Sequence, residues 1–177
     1  MKQLGPTDLK RLHRRWSREP HARLALLLDG VSSPFNVGAI VRTAAAFRVE
    51  QLWLSGGACP PDNSRAGRTA MGTERYLTWE AVDTGPAAVD AARSDGYTVV
   101  GLELAAGASP LHELALAGDV CLAVGHEDHG LGAATLDACD AVAYIPLLGK
   151  VGSLNVATAA GLAIYELRRR GWAPEPG

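Results

Sequence analysis

Arg42 stands alone among apolar residues in "NVGAIVRTAAAF" (36–47), where a permanent positive charge needs a purpose. A guanidinium carries five N–H donors in a planar fork and keeps its proton, which suits it to hold phosphate or to stabilise a developing anion. Two other segments hold polar side chains of chemical use. "GHEDHG" (125–130) sets Glu127 between two histidines, and "GSLN" (152–155) offers the Ser153 hydroxyl and the Asn155 amide.

Familiar devices are missing around these residues. The turn after the first apolar run reads "DGVSSPFNVG", without the G-x-G-x-x-G of a dinucleotide site, and "GHEDHG" is followed by Leu-Gly rather than Lys-Ser/Thr, so it is no phosphate loop. A zincin places its histidines four apart on a helix, whereas His126 and His129 are three apart in a glycine-bounded loop. No metal site is expected. "VGSLN" lacks the second glycine of a nucleophile elbow.

Positioning such residues falls to apolar runs of strand length, "LALLL" (24–28), "QLWL" (51–54), "YTVVGL" (97–102), "VCLAV" (120–124) and "AVAYI" (141–145). Runs without strict alternation suit strands buried on both faces. Between them lie helix-like stretches at 36–47, 86–94, about 131–138 and 153–170. The alternation predicts an α/β fold, a mainly parallel sheet with helices on both faces, whose ligands bind beyond the carboxyl ends of the strands. Thr7 and Asp8 are plausible caps for a first helix reaching about Arg18, with Pro20 as its stop. The last helix would carry a face of small residues, Ser153, Ala157, Ala160 and Gly161, with Ile164 a turn on. Asn36 and Ser153 also read as helix caps.

The chain has 177 residues, suited to one domain with a substantial core, and its 47% hydrophobic and 20% charged residues are globular in proportion. Net charge is −2, yet residues 1–23 hold seven Lys/Arg against two acids, and residues 24–167 hold seven against sixteen. A basic tip on an acidic body can grip a phosphate backbone locally. The longest uncharged run near the end, 151–165, is too short and too polar to span a bilayer, and the basic start has no apolar leader region. No membrane partner and a cytoplasmic location are expected. Three cysteines without a C-x-x-C pair suggest no disulfide framework, and Cys121 reads as a small buried hydrophobe.

Three segments, in order and each after a predicted strand, resemble the SpoU/TrmH type of RNA 2′-O-ribose methyltransferases of the knotted SPOUT superfamily. "SPFNVGAIVRTAAAF" (33–47) has Asn36 and Arg42 at the family's N-x-x-x-x-x-R spacing, "LAVGHEDHGL" (122–131) has G-x-E-x-x-G around Glu127, and "IPLLGKVGSLNVATAAGLAIYEL" (145–167) is similar to I-P-M-x-G-x-x-x-S-L-N-V-S. Leu147 replaces the usual Met and Ala157 the usual Ser, changes that spare the polar set.

The resemblance covers 23–170 and implies a C-terminal trefoil knot, an exception to the rule against threaded chains, together with an obligate homodimer. It also implies S-adenosylmethionine bound through Leu102, Gly125, Ile145 and Leu154, with Arg42, Asn36, Glu127, Ser153 and Asn155 as the catalytic set. Arg42 would act on the ribose hydroxyl, either as the base or as a group that orients phosphate and stabilises charge. Asn36 would fix the loop or Arg42, and Glu127 would anchor backbone amides or the arginine. Residues 1–20 would form a basic helical extension and 21–177 the methyltransferase domain. RNA contacts are expected from Arg11, Arg14 and Arg15 in that extension, and from Arg65, Arg68 and Arg75 in a Gly/Ser loop at 62–76. "RTAMG" (68–72) resembles a segment of tRNA D-loop guanosine methyltransferases, so tRNA is the expected substrate, with ribosomal RNA or a non-catalytic RNA-binding role as alternatives.

Overall fold

The computed structural model describes residues 3–18 and 21–172. Helix α1 (Pro6–Trp16) precedes β1 (Leu24–Asp29), α2 (Pro34–Ala46), β2 (Gln51–Ser55), α3 (Ser64–Ala70), β3 (Thr78–Ala81), α4 (Gly85–Ser94), β4 (Thr98–Leu102), β5 (Ser109–Pro110), β6 (Val120–Val124), α5 (Ala133–Ala138), β7 (Ala141–Tyr144) and α6 (Val156–Trp172). Short 3-10 turns cover Thr73–Tyr76 and Leu111–Glu113.

The seven strands form one sheet in the order β3-β2-β1-β6-β4-β7-β5, and every pairing is parallel. A parallel sheet must be covered on both faces, and the two-residue period of the strands supplies two apolar faces. Leu26, Leu28, Leu52, Leu54 and Leu122 pack with Ile40 and Val41 of α2 and with Ala160 and Ile164 of α6. Ala25, Leu27, Trp53, Val99 and Cys121 meet Ala88, Val89 and Ala92 of α4 on the other face. Cys121 is fully buried, as a small hydrophobe would be.

Helix starts differ from the expected ones for local reasons. The N-cap of α1 is Gly5 with Pro6 opening the helix, so Thr7 and Asp8 lie in its first turn, and the expected stop at Pro20 lies outside the described residues. Ser33 caps α2 and Pro34 begins it, leaving Asn36 inside the first turn. Asn155, not Ser153, starts α6, because its Oδ1 accepts from the amides of Ala157 and Thr158 at 3.0 and 3.2 Å. Ser153 therefore lies outside the small-residue face, of which Ala160 is buried and Gly161 faces the Thr43 methyl, 3.8 Å from where a Cβ would sit.

The segment 62–76 is not a loop. Ala66 and Ala70, four apart, bury one side of α3, and the Asn63 side chain caps it by accepting from the Arg65 amide at 2.9 Å. Strands β3 and β5 carry no apolar run: β3 is mostly exposed at the sheet edge and β5 has two residues.

Near its end α6 is fastened by Arg168, only 6% exposed. Its Nε, Nη1 and Nη2 donate to the carbonyls of Phe47, Ala22 and Arg48 at 2.8, 2.6 and 2.7 Å. Burial lowers the pKa of this guanidinium, and the three carbonyls meet the donors that the interior would otherwise leave unsatisfied. Among the described residues no helix is long and apolar enough to cross a membrane.

Candidate active site

Parallel strands bring their carboxyl ends to one edge, with Leu28 beside Val124 and Leu102 beside Ala143. The loops that leave this edge enclose a cavity of about 300 Å³. All four residues expected to hold a cofactor, Leu102, Gly125, Ile145 and Leu154, line it, together with Ser153, Glu127, Glu103, Tyr144 and Leu147.

Glycine is required on the cavity wall. A Cβ on Gly125 would collide with the backbone of Gly130 and Leu131, because His126 and Gly130 pair across the loop through two backbone hydrogen bonds of 3.0 and 2.9 Å. Gly130 has φ +65°, and a Cβ there would strike the Glu103 carboxylate. That carboxylate accepts from the Leu104 amide at 2.9 Å and from the Leu131 amide at 3.0 Å, so Glu103 ties the loop after β4 to the glycine loop. The position of Glu103 directly after a predicted strand, in "GLEL", was the available sign of it.

Beside the cavity three expected residues form a chain of hydrogen bonds. Glu127 accepts from the Ser33 amide at 2.9 Å, the Ser32 amide at 3.2 Å, the Ser32 hydroxyl at 3.3 Å and Asn36 Nδ2 at 3.0 Å. Asn36 Oδ1 in turn accepts from Asn155 Nδ2 at 3.0 Å. One network thus links the loop after β1, the glycine loop after β6 and the cap of α6. Burial pushes the Glu127 carboxyl up, but the hydrogen bonds from Asn36, Ser33 and Ser32 outweigh it and hold the pKa at about 2. Glu127 anchors amides and Asn36, not the arginine. Ser32 and Ser33 were not singled out from sequence, although "SSPF" combines a cap residue with Pro at the first helical position.

Arg42 departs from expectation. It lies six residues beyond Asn36, about 9 Å along α2 and on another side of the helix. It does not line the cavity that holds Ser153, and makes no hydrogen bond to Asn36 or Glu127. Its Nη1 donates instead to the Met71 thioether at 2.7 Å, on the rim of a second cavity. The six arginines expected to contact RNA are exposed: Arg11 pairs with Asp8 on α1, Arg14 and Arg15 follow it, Arg65 and Arg68 stand on α3, and Arg75 lies over the Tyr76 ring. His126 and His129 stack at 4.9 Å between ring centroids, with the Asp128 amide donating to His126 Nδ1 at 3.0 Å.

A parallel α/β sheet whose strand ends open into a cavity lined by apolar and polar groups in like measure, with a fixed carboxylate beside it, places the candidate ligand site where such sheets hold small ligands. The chain belongs to the SpoU rRNA methylase family, whose model matches residues 23–165. It is 36% identical over 147 residues to the 23S rRNA (guanosine(2553)-2′-O)-methyltransferase RlmP of Bacillus subtilis, covering 83% of this chain and 58% of that protein. Among solved structures, an AdoMet-bound rRNA methyltransferase from Sinorhizobium meliloti superposes with a TM-score of 0.79 at 29% identity, over 86% of this chain and 58% of that one. The TrmH/SpoU tRNA modifying enzyme of A. aeolicus gives 0.76 at 25% identity, over 97% and 89%. The chain spans about three fifths of the length of the curated relatives it matches.

Proposed function

We propose that the protein is an S-adenosylmethionine-dependent ribose 2′-O-methyltransferase of ribosomal RNA, acting in the cytoplasm as a homodimer. The observation that carries this reading is the convergence of Leu102, Gly125, Ile145 and Leu154 on one cavity beside the Asn36–Glu127–Asn155 network. Ribosomal RNA replaces the tRNA expected from "RTAMG". The relative at 36% identity is named for 23S rRNA, whereas the tRNA modifying enzyme stands at 25%.

The cavity suits the cofactor: Leu102, Leu147 and Leu154 present flat apolar wall to an adenine ring, and the bare backbone at Gly125 admits its polar edge. When bound, S-adenosylmethionine supplies a methyl carbon activated by its sulfonium. The chain's own groups must then align a ribose oxygen with that carbon and keep the loops from moving. Glu127, Asn36 and Asn155 do the second by cross-linking three loops. The exposed Ser153 hydroxyl on the cavity wall is free to bond the ribose, and the planar donor fork of Arg42 orients the ribose and its phosphate.

Separation of Arg42 from the cavity within one chain supports the homodimer, in which a second copy would bring its own Arg42 near the bound donor. Phe35 of α2 and Leu162 and Tyr165 of α6 are 66%, 48% and 49% exposed, an apolar surface available to such a contact. The C-terminal trefoil knot belongs to this proposal too. It is supported by the path of the chain, which leaves β7 near one edge of the sheet yet returns α6 onto α2. In the same reading residues 1–20 are an RNA-binding extension and 21–177 the catalytic domain, with Arg11, Arg14, Arg15, Arg65, Arg68 and Arg75 on phosphates.

Incubation with methyl-labelled S-adenosylmethionine and either rRNA or tRNA tests the proposal. Label should enter rRNA, and Arg42→Ala should lower turnover by roughly 10²-fold or more while cofactor affinity stays within a few-fold. Full activity in that variant would remove Arg42 from the mechanism.

A further inference from the structure

A second cavity, about 820 Å³, lies away from the strand ends, between α1, the end of α2, the 3-10 turn at Thr73–Tyr76 and the end of α6. Its walls are aromatic and basic, with Trp16, Phe47, Tyr76 and Trp172 beside Arg42 and Arg48 and no Asp or Glu among the lining residues. Trp16 and Trp172 lie outside the stretch matched by the family, whereas Arg42, Phe47, Arg48 and Tyr76 lie within it.

We infer that this cavity receives an unpaired nucleobase of the RNA, stacked on its exposed aromatic rings while the adjoining phosphates meet Arg42 and Arg48. The inference rests on the RNA reading above and deepens it.

Two of the rings keep open surface that a base can stack on. Trp172 packs against Trp16 at 5.3 Å and Phe47 at 6.4 Å between centroids and Arg75 lies over one face of Tyr76, yet Trp16 and Tyr76 remain 48% and 63% exposed. Every nucleobase has a π face, and such stacking is a general means of holding single-stranded RNA.

The charges are left uncompensated in the way a phosphate needs. Arg42 reaches only the Met71 thioether, a weak acceptor, and Arg48 only the Ser17 carbonyl at 3.0 Å; neither pairs with a carboxylate among the described residues. Arg48 and Met71 are also the two non-glycine residues with positive φ among the described residues, 52° and 57°, and both occupy helix ends where glycine is the common residue. A volume in the range of ordinary ligand pockets accommodates a base with its sugar.

A short single-stranded oligoribonucleotide carrying one 2-aminopurine tests this, because the probe's fluorescence is quenched when it stacks on an indole or phenol ring. The full-length protein should quench it, and the double variant Trp16→Ala, Tyr76→Ala should weaken binding by at least tenfold with an unchanged salt slope, since stacking releases no counterions. Trp16→Phe should retain most of the affinity, and S-adenosylmethionine binding by the double variant should match wild type, showing that it folds.

Unchanged affinity and quenching in the folded double variant would overturn the inference alone, leaving the RNA reading intact. Failure of the wild-type protein to bind any RNA would overturn both. A double variant that binds RNA normally but associates more weakly with its own copies would assign the cavity to a subunit contact and overturn the inference as well.

Discussion

Glu127 does its work by accepting. Its carboxylate takes hydrogen bonds from two serine residues and Asn36, so it must stay ionised to hold the loops together. A carboxyl held at about 2 instead of 4.5 stabilises the fold fully above pH 4.5, and that contribution is lost as the pH falls toward 2. The stability difference between the protein and Glu127→Gln should therefore be constant above pH 4.5 and shrink between pH 4.5 and 2, as followed by chemical denaturation at each pH. A difference independent of pH would show that the charge of Glu127 is not what the loops use. The identities of Asn36, Glu127 and Asn155 were legible in the sequence from their spacing. What spacing could not show was which of them touch, because Arg42 and Asn36 share a helix yet face different sides of it.

The elements were legible wherever a buried face repeats. Five strands of the sheet are apolar on both sides and stood out as continuous runs, whereas β3 and β5 lie at the two edges of the sheet and carry no such signature. Helix α3 hid in a Gly/Ser-rich stretch since two alanines are enough to bury its inner face. Boundaries were set by single caps that compete with neighbouring residues of the same type, as Ser33 does with Asn36 and Asn155 with Ser153. Asn155 is both a cap and a link to Asn36, so Asn155→Ala should cost about 1–2 kcal/mol in urea unfolding. Ile164→Ala, which empties a fully buried site under the sheet, should cost about 2–5 kcal/mol. A smaller loss for Ile164→Ala than for Asn155→Ala would contradict this account of how α6 is held.

At the scale of the whole molecule, charge and shape divide the labour. An acidic body carries the cavity at the strand ends, and the basic residues of α1 and α3 lie on its surface with no role in the core. Replacing Arg11, Arg14 and Arg15 by Ala should reduce the slope of log K against log salt for RNA binding by about 2–3, one phosphate contact each. An unchanged slope would make α1 a structural cap. The central claim is narrower than RNA binding: the methyl group goes to a ribose 2′-oxygen. Alkaline hydrolysis of rRNA labelled by the protein measures this directly, because a methylated 2′-oxygen cannot attack the adjoining phosphate. The label should appear in alkali-resistant dinucleotides; label recovered in mononucleotides, or none in the RNA at all, would contradict the assignment.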